Sequence, residues 1–152
     1  MINHSITDIT NYLEIYPWLG TAGMPTDDQI ECIANTGYQV VINLALEESP
    51  GAIADERERV TRLGMNYMHI PVVWESPQSS DLEQFFTIMQ QLADYKVFVH
   101  CVLNMRVSVF VYLYRVIHLK EDPAVAYQEL LEIWQPDETW QTLMDIALKN
   151  YG

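Results

Sequence analysis

Short apolar blocks, separated by glycine, proline and polar breaks, alternate along the chain with longer stretches of helical period. Residues 12–16, Y-L-E-I-Y, alternate in character and stop at Pro17, which predicts a short strand, and residues 19–24 continue as an extended edge. The β-branched block at 38–44, Y-Q-V-V-I-N-L, predicts a buried strand, and 66–70, N-Y-M-H-I, predicts the next strand, halted by Pro71. Thr26, with Gln29 three residues on, forms a capping box that opens a helix to about Thr36, with Ile30, Ile33 and Ala34 inward and Cys32 as ordinary packing. Gly37 closes it. Residues 52–63 suit an exposed helix in which Glu56, Arg57, Glu58, Arg59 and Arg62 form a solvated face. The proline- and serine-rich stretch 71–80 is a loop, after which Ser80 caps a helix at 81–93. Its Leu82, Phe85, Phe86, Met89 and Leu92 recur at helical spacing and belong in the core.

Lys96 opens the next strand, which ends in V-F-V-H-C, and residues 107–120 follow as a segment apolar nearly all round. Propensity favours a strand there, but length and lack of alternation favour a buried helix. Asp122-Pro123 begins a helix at 123–134, and Pro136-Asp137 begins the last, to about Lys149, with Trp140, Leu143 and Leu148 inward. Strands alternating with helices define an α/β class. At 152 residues the expectation is one domain with a sizeable core.

The formal net charge of −13 excludes a nucleic-acid or anionic-membrane surface, and any affinity for a phosphorylated substrate must be local. The same acidity also serves plain solubility. Cys32 and Cys101 are the two cysteines, far apart, and His4, His69 and His118 lack ligand spacing, so no disulfide, metal or cofactor is expected. No stretch reaches membrane-spanning length, and the start carries no signal segment; a cytoplasmic location follows if that start is native, whereas a chain trimmed for the periplasm would read the same. The oligomeric state is not legible.

Chemistry concentrates in residues 97–108, V-F-V-H-C-V-L-N-M-R-V-S. An apolar strand that ends in His100-Cys101 puts a thiol at the carboxyl edge of a sheet, where open α/β sheets bind ligands. A helix beginning soon after would aim its first amides at that thiol and favour an anion there. Arg106 adds two-pronged binding of phosphate or sulfate oxygens. Cys101 is otherwise an inert buried thiol, and Arg106 a capping or surface residue.

The stretch resembles the signature of cysteine-dependent protein phosphatases, His-Cys, five residues, Arg, then Ser or Thr. Here four residues, Val102, Leu103, Asn104 and Met105, separate Cys101 from Arg106, while Ser108 keeps its distance from the cysteine. Either the loop is one residue shorter, with Val107 intruding before Ser108, or the arginine has moved back and Val107 occupies its place. The loop glycine is absent, and Asn104 stands nearest to it; asparagine tolerates left-handed backbone angles. The shorter spacing also resembles rhodanese-type sulfurtransferases. Against these, G-M-P-T, a helix, T-G-Y and V-V-I-N-L resemble the amino-terminal half of small bacterial phosphatase-like domains, and the Asp-Val-Arg and Gly-His-Ile-Pro-Gly segments of rhodaneses do not occur.

The phosphatase resemblance implies a dual-specificity-phosphatase-like fold, with a mostly parallel sheet of four to five strands flanked by helices. It implies that Cys101 attacks phosphorus and forms a phosphocysteine, that Arg106 and the amides of Val102 to Val107 hold the oxygens, and that His100 orders the loop. Ser108 would hydrogen-bond Cys101 and ease its departure. The position of the proton-donating aspartate falls on Trp74, so Glu75 becomes the candidate acid and Asp81 the fallback, with Trp74 a lid or a substrate stacker. The partner would be a phosphorylated protein or small molecule, such as a phosphotyrosine or aryl phosphate, with no cofactor. A catalytically silent phosphate-binding or interaction module is the alternative, and a sulfurtransferase the third.

Overall fold

A computed structural model describes residues 5–151; His4 lies outside the described residues. A five-stranded sheet is built from β1 (Leu13–Tyr16), β2 (Leu19–Ala22), β3 (Val40–Asn43), β4 (Asn66–His69) and β5 (Val97–His100), in the order β1-β2-β5-β3-β4. β1 and β2 form an antiparallel hairpin, and β2, β5, β3 and β4 run parallel. The expected edge at 19–24 is therefore internal: β1 covers its outer side, and all four residues of β2 are buried.

The strand pleat divides the core. Val40, Ile42, Val97 and Val99 face a large cluster, whereas Val41 and Phe98 face a smaller one. On the smaller side lie α1 (Asp27–Asn35) and α2 (Glu56–Arg62), which contribute Ile30, Ile33 and Val60. On the other lie α3 (Ser79–Gln91), α4 (Met105–Ile117), α5 (Pro123–Ile133) and α6 (Glu138–Tyr151).

Local signals place most helix ends. Thr26 Oγ1 accepts from Gln29 N at 3.3 Å while Gln29 Oε1 accepts from Thr26 N at 2.9 Å, completing the expected capping box. Gly37, at φ 99, closes that helix region in a backbone conformation that side chains disfavour. Asp122 Oδ1 caps α5 through Ala124 N at 3.0 Å, with Pro123 in its first turn. Two boundaries differ. Gln78, not Ser80, precedes α3, with Asp81 accepting from Gln78 N, and α2 is shorter than the charged stretch from Ala52 implied.

Residues 107–117 are helical despite their strand-like composition, and α4 runs through the core with nearly every residue buried. Its one buried late cation, Arg115, is matched by Glu121 and Glu129, each at 2.8 Å, and lies over the Tyr16 ring. Among the described residues no helix is long and apolar enough to cross a membrane.

Phe85 on α3 is fully buried against Phe86, Phe110 and Tyr114. Phe85→Ala is expected to lower stability by about 3–5 kcal/mol, the cost of a large cavity between α3 and α4, read from urea unfolding at 25 °C.

Candidate active site

β5 carries the site. It lies between β2 and β3, with His100 opposite Ala22 on one side and Asn43 on the other, so the chain leaves the sheet at Cys101 from its middle. The loop that follows is fastened on several sides. Val102 O accepts from Met24 N at 2.9 Å, and Leu103 O accepts from Asn11 Nδ2 at 3.0 Å. Asn104 returns the bond: its Nδ2 donates to Asn11 O at 2.9 Å and to Thr21 Oγ1 at 3.1 Å. Asn104 adopts φ 67, the left-handed conformation that the sequence suggested it would tolerate, and α4 begins at the next residue.

That helix start chooses between the two sequence alignments. The bridge is the shortened one, because Met105 already belongs to α4 and Arg106 is its second residue. Arg106 and Cys101 line one cavity of about 180 Å³, together with Trp74, Val102, Leu103 and Met105. Val107 is fully buried in the core instead. Arg106 is itself buried, and its Nη1 donates to Val72 O at 2.9 Å, which ties the guanidinium to the loop after β4. Its other donors meet no protein acceptor among the described residues. The amides of Val102, Leu103, Met105, Arg106 and Val107 likewise have no protein acceptor among the described residues, as expected where a helix begins. The first turn thus brings hydrogen-bond donors and a guanidinium to a cavity that contains a thiol, a combination suited to an oxyanion.

Three expected contacts are not formed. Ser108 does not hydrogen-bond Cys101: its Oγ donates to Met105 O at 2.8 Å and accepts from Trp134 Nε1 at 3.1 Å. The reason is helical phase. With α4 under way before Arg106, Ser108 lies two positions after Arg106, roughly 200° of rotation at 3.6 residues per turn, so they cannot face one cavity. Glu75 is exposed and borders a different depression beside α6, with Ser76, Pro77 and Glu138. Asp81 spends a carboxylate oxygen on the Gln78 amide in the first turn of α3.

Trp74 does reach the site, and it closes one side of the cavity. Its ring packs against Trp134 and Trp140 at centroid distances of 5.2 and 5.4 Å, and Trp140 Nε1 donates to Trp74 O at 3.0 Å. The loop that would carry an acid is therefore anchored by two indole rings, Trp134 at the end of α5 and Trp140 on α6. Among the described residues the cavity lining contains no carboxylate, and no group of three His, Cys, Asp or Glu side chains could hold a metal ion.

His100 is wholly buried below the loop. Its Nδ1 lies 3.3 Å from Cys101 O and its Nε2 lies 2.6 Å from Glu56 Oε2, at the start of α2. Glu56 is buried as well, which corrects the reading of E-R-E-R as a wholly solvated face. A clue existed in the sequence, since a histidine ending a buried strand needs a partner for its second ring nitrogen, but nothing local named the partner. Beside Glu56, burial foremost and then the Glu56 charge push the Tyr67 hydroxyl up to about 12.

The family model described as "DSP-PTPase phosphatase fused to NAD+ Kinase" matches residues 5–142. The chain belongs to this phosphatase family. A crystal structure of a "Putative phosphatase (DUF442)" from Shewanella putrefaciens CN-32 is 33% identical over 97% of both chains, with a TM-score of 0.87. Two structures share the fold at lower identity. Tk-PTP in its active form has a TM-score of 0.74 at 15% identity, covering 93% of this chain and 95% of its own. TpbA of P. aeruginosa, in complex with phosphotyrosine, has a TM-score of 0.66 at 14% identity, covering 85% and 75%. No curated protein matches the chain. Family and fold identify a cysteine-dependent phosphatase, a phosphoric monoester hydrolase, and the sulfurtransferase reading falls away.

Gly23 lies against the loop after β5 so closely that a Cβ there would sit 2.4 Å from Val102 O. Gly23→Ala is expected to push the loop off β2 and lower aryl phosphate hydrolysis on the order of ten- to a hundred-fold, with an unchanged far-ultraviolet circular dichroism spectrum.

Proposed function

We propose that this phosphatase hydrolyses monoesters with a good leaving group, aryl phosphates above all, through a phosphocysteine on Cys101. The observation that carries the reading is the shared cavity: Cys101 and Arg106 are the reactive and anion-binding groups of one pocket at the carboxyl end of β5. The Cys101 thiolate attacks phosphorus, an S–P bond forms, and the P–O bond to the leaving group breaks. Water then attacks the phosphocysteine, the S–P bond breaks, and inorganic phosphate leaves with the thiolate restored. Arg106 and the amides of the Val102 to Val107 loop hold the three equatorial oxygens in both steps. The His100 contact with Cys101 O keeps the loop in place.

Two features support the leaving-group preference. The pocket wall is Trp74, Val102, Leu103 and Met105, an apolar surface that suits an aromatic ring beside the phosphate. Among the described residues it also lacks a carboxylic acid to protonate a departing alkoxide. An aryl oxide leaves without that help. The phosphotyrosine bound by the fold relative TpbA is such an ester. Ser108, engaged with Trp134, leaves dephosphorylation of the thiol to water, Arg106 and the loop donors.

With para-nitrophenyl phosphate, Cys101→Ser is expected to abolish turnover, and Arg106→Lys to lower kcat/KM on the order of a hundred-fold or more, because a lysine cannot offer the planar fork. Binding of phosphate or vanadate with no turnover by the unmodified protein would instead support a silent phosphate-binding module. Across a series of aryl phosphates, kcat/KM should fall steeply as the leaving group becomes more basic, with alkyl and serine phosphate esters nearly inert. Equal rates on both ester types would disprove the leaving-group preference.

A further inference from the structure

We propose that Glu56 is a positioning residue for Cys101, acting through His100: its carboxylate holds the imidazole as a cation with both ring nitrogens donating, and thereby favours the reactive thiolate. The inference rests on the reading of Cys101 as the nucleophile and goes beyond it.

The geometry places the first hydrogen. A carbonyl oxygen only accepts, so the contact between His100 Nδ1 and Cys101 O at 3.3 Å requires the hydrogen on Nδ1. The remaining nitrogen, Nε2, faces Glu56 Oε2 at 2.6 Å, a short contact of the kind that charge assistance favours. With Glu56 ionised, both nitrogens donate and the ring is an imidazolium. Both partners are buried, so each needs the other's charge: an unpaired imidazolium or carboxylate at this depth would be neutralised. A paired cation one residue from the sulfur then lies on the side of the loop opposite the anion pocket.

The neighbouring groups do not take over Glu56's part. From α2, Arg57 stacks over the Tyr67 ring with its guanidinium carbon 4.9 Å from the centroid. From β4, Tyr67 OH accepts from Asn43 Nδ2 at 3.0 Å, and His69 Nε2 is bound to Ala45 O at 2.6 Å. Glu47 lines the same depression as Glu56, Arg57, Tyr67 and His69, after β3. Arg106 lies on the cavity side, held by Val72 O. β2, along the other flank of β5, brings no titratable side chain. Among the described residues Glu56 is the one carboxylate bonded to His100.

The pH profile of Cys101 alkylation by iodoacetamide tests the proposal without any turnover. The background is removed with Cys32→Ser. Glu56→Gln keeps the shape and removes the charge, and is expected to move the midpoint up by about one pH unit or more, with Glu56→Asp restoring part of the shift. A merely structural role would lower the plateau rate and leave the midpoint in place, and that result would overturn the proposal. Should Glu56→Gln fail to fold, nitrogen-15 spectra of His100 in the unmodified chain decide: two protonated ring nitrogens at pH 7.5 support the proposal, and a neutral ring overturns it. Absence of aryl phosphate turnover by the unmodified protein, with the midpoint shift in Glu56→Gln observed, would count against the enzyme reading only.

Discussion

Everything at the site depends on one left-handed residue. Between the last hydrogen-bonded position of β5 and the first turn of α4 the chain has four residues in which to reverse, and Asn104 at φ 67 makes the reversal. Such a backbone conformation is disfavoured for any residue with a side chain, so the surroundings must hold it. Asn11, itself at φ 51, supplies the restraint through a reciprocal pair of amide-to-carbonyl bonds, and Thr21 on β2 adds another. Asparagine serves here where a glycine would be free, because its amide fastens the loop to the sheet as well as tolerating the angle. Its Oδ1 remains buried without a partner, a local cost that the three amide-mediated bonds of the pair outweigh.

The early helix start then distributes the chemistry. Beginning α4 at Met105 turns Arg106 toward the thiol and turns Ser108 away, into the indole of Trp134. One inserted or deleted residue therefore trades a hydroxyl for a guanidinium. The tryptophans complete this arrangement. Trp134 holds Ser108 and Met105, Trp140 holds the backbone of Trp74, and Trp74 walls the pocket in which an acid would otherwise stand. The cavity is consequently cationic at its floor and apolar at its side, on a protein whose overall charge is −13. Long-range attraction for a phosphorylated substrate is absent, and binding relies on short-range donors in a partly dry pocket.

Buried charge follows the same economy throughout. Arg106 meets a backbone carbonyl, Arg115 meets two glutamates, and His100 meets Glu56. Each of these side chains is placed by a partner from a different element, so each pair also fixes how two elements sit together: α4 with the loop after β4, α4 with α5, and β5 with α2.

Much of this was readable along the chain, because it depends on neighbours. Strand and helix alternation, the Thr26 capping box, the core face of α3, the thiol at the end of a buried strand and the tolerance of Asn104 all follow from period, capping and backbone preference within a few residues. Family likeness was carried by equally local motifs. What the amino-acid order left open was settled by contacts between distant residues. His100 and Glu56 are 44 positions apart, Trp140 and Trp74 are 66 apart, and Asn104 and Asn11 are 93 apart. No periodicity encodes such pairings. Whether Glu56 faces water or histidine, whether Ser108 reaches the sulfur, and whether Glu75 approaches the pocket depend on how packed elements meet, and only the assembled sheet and helices decide that.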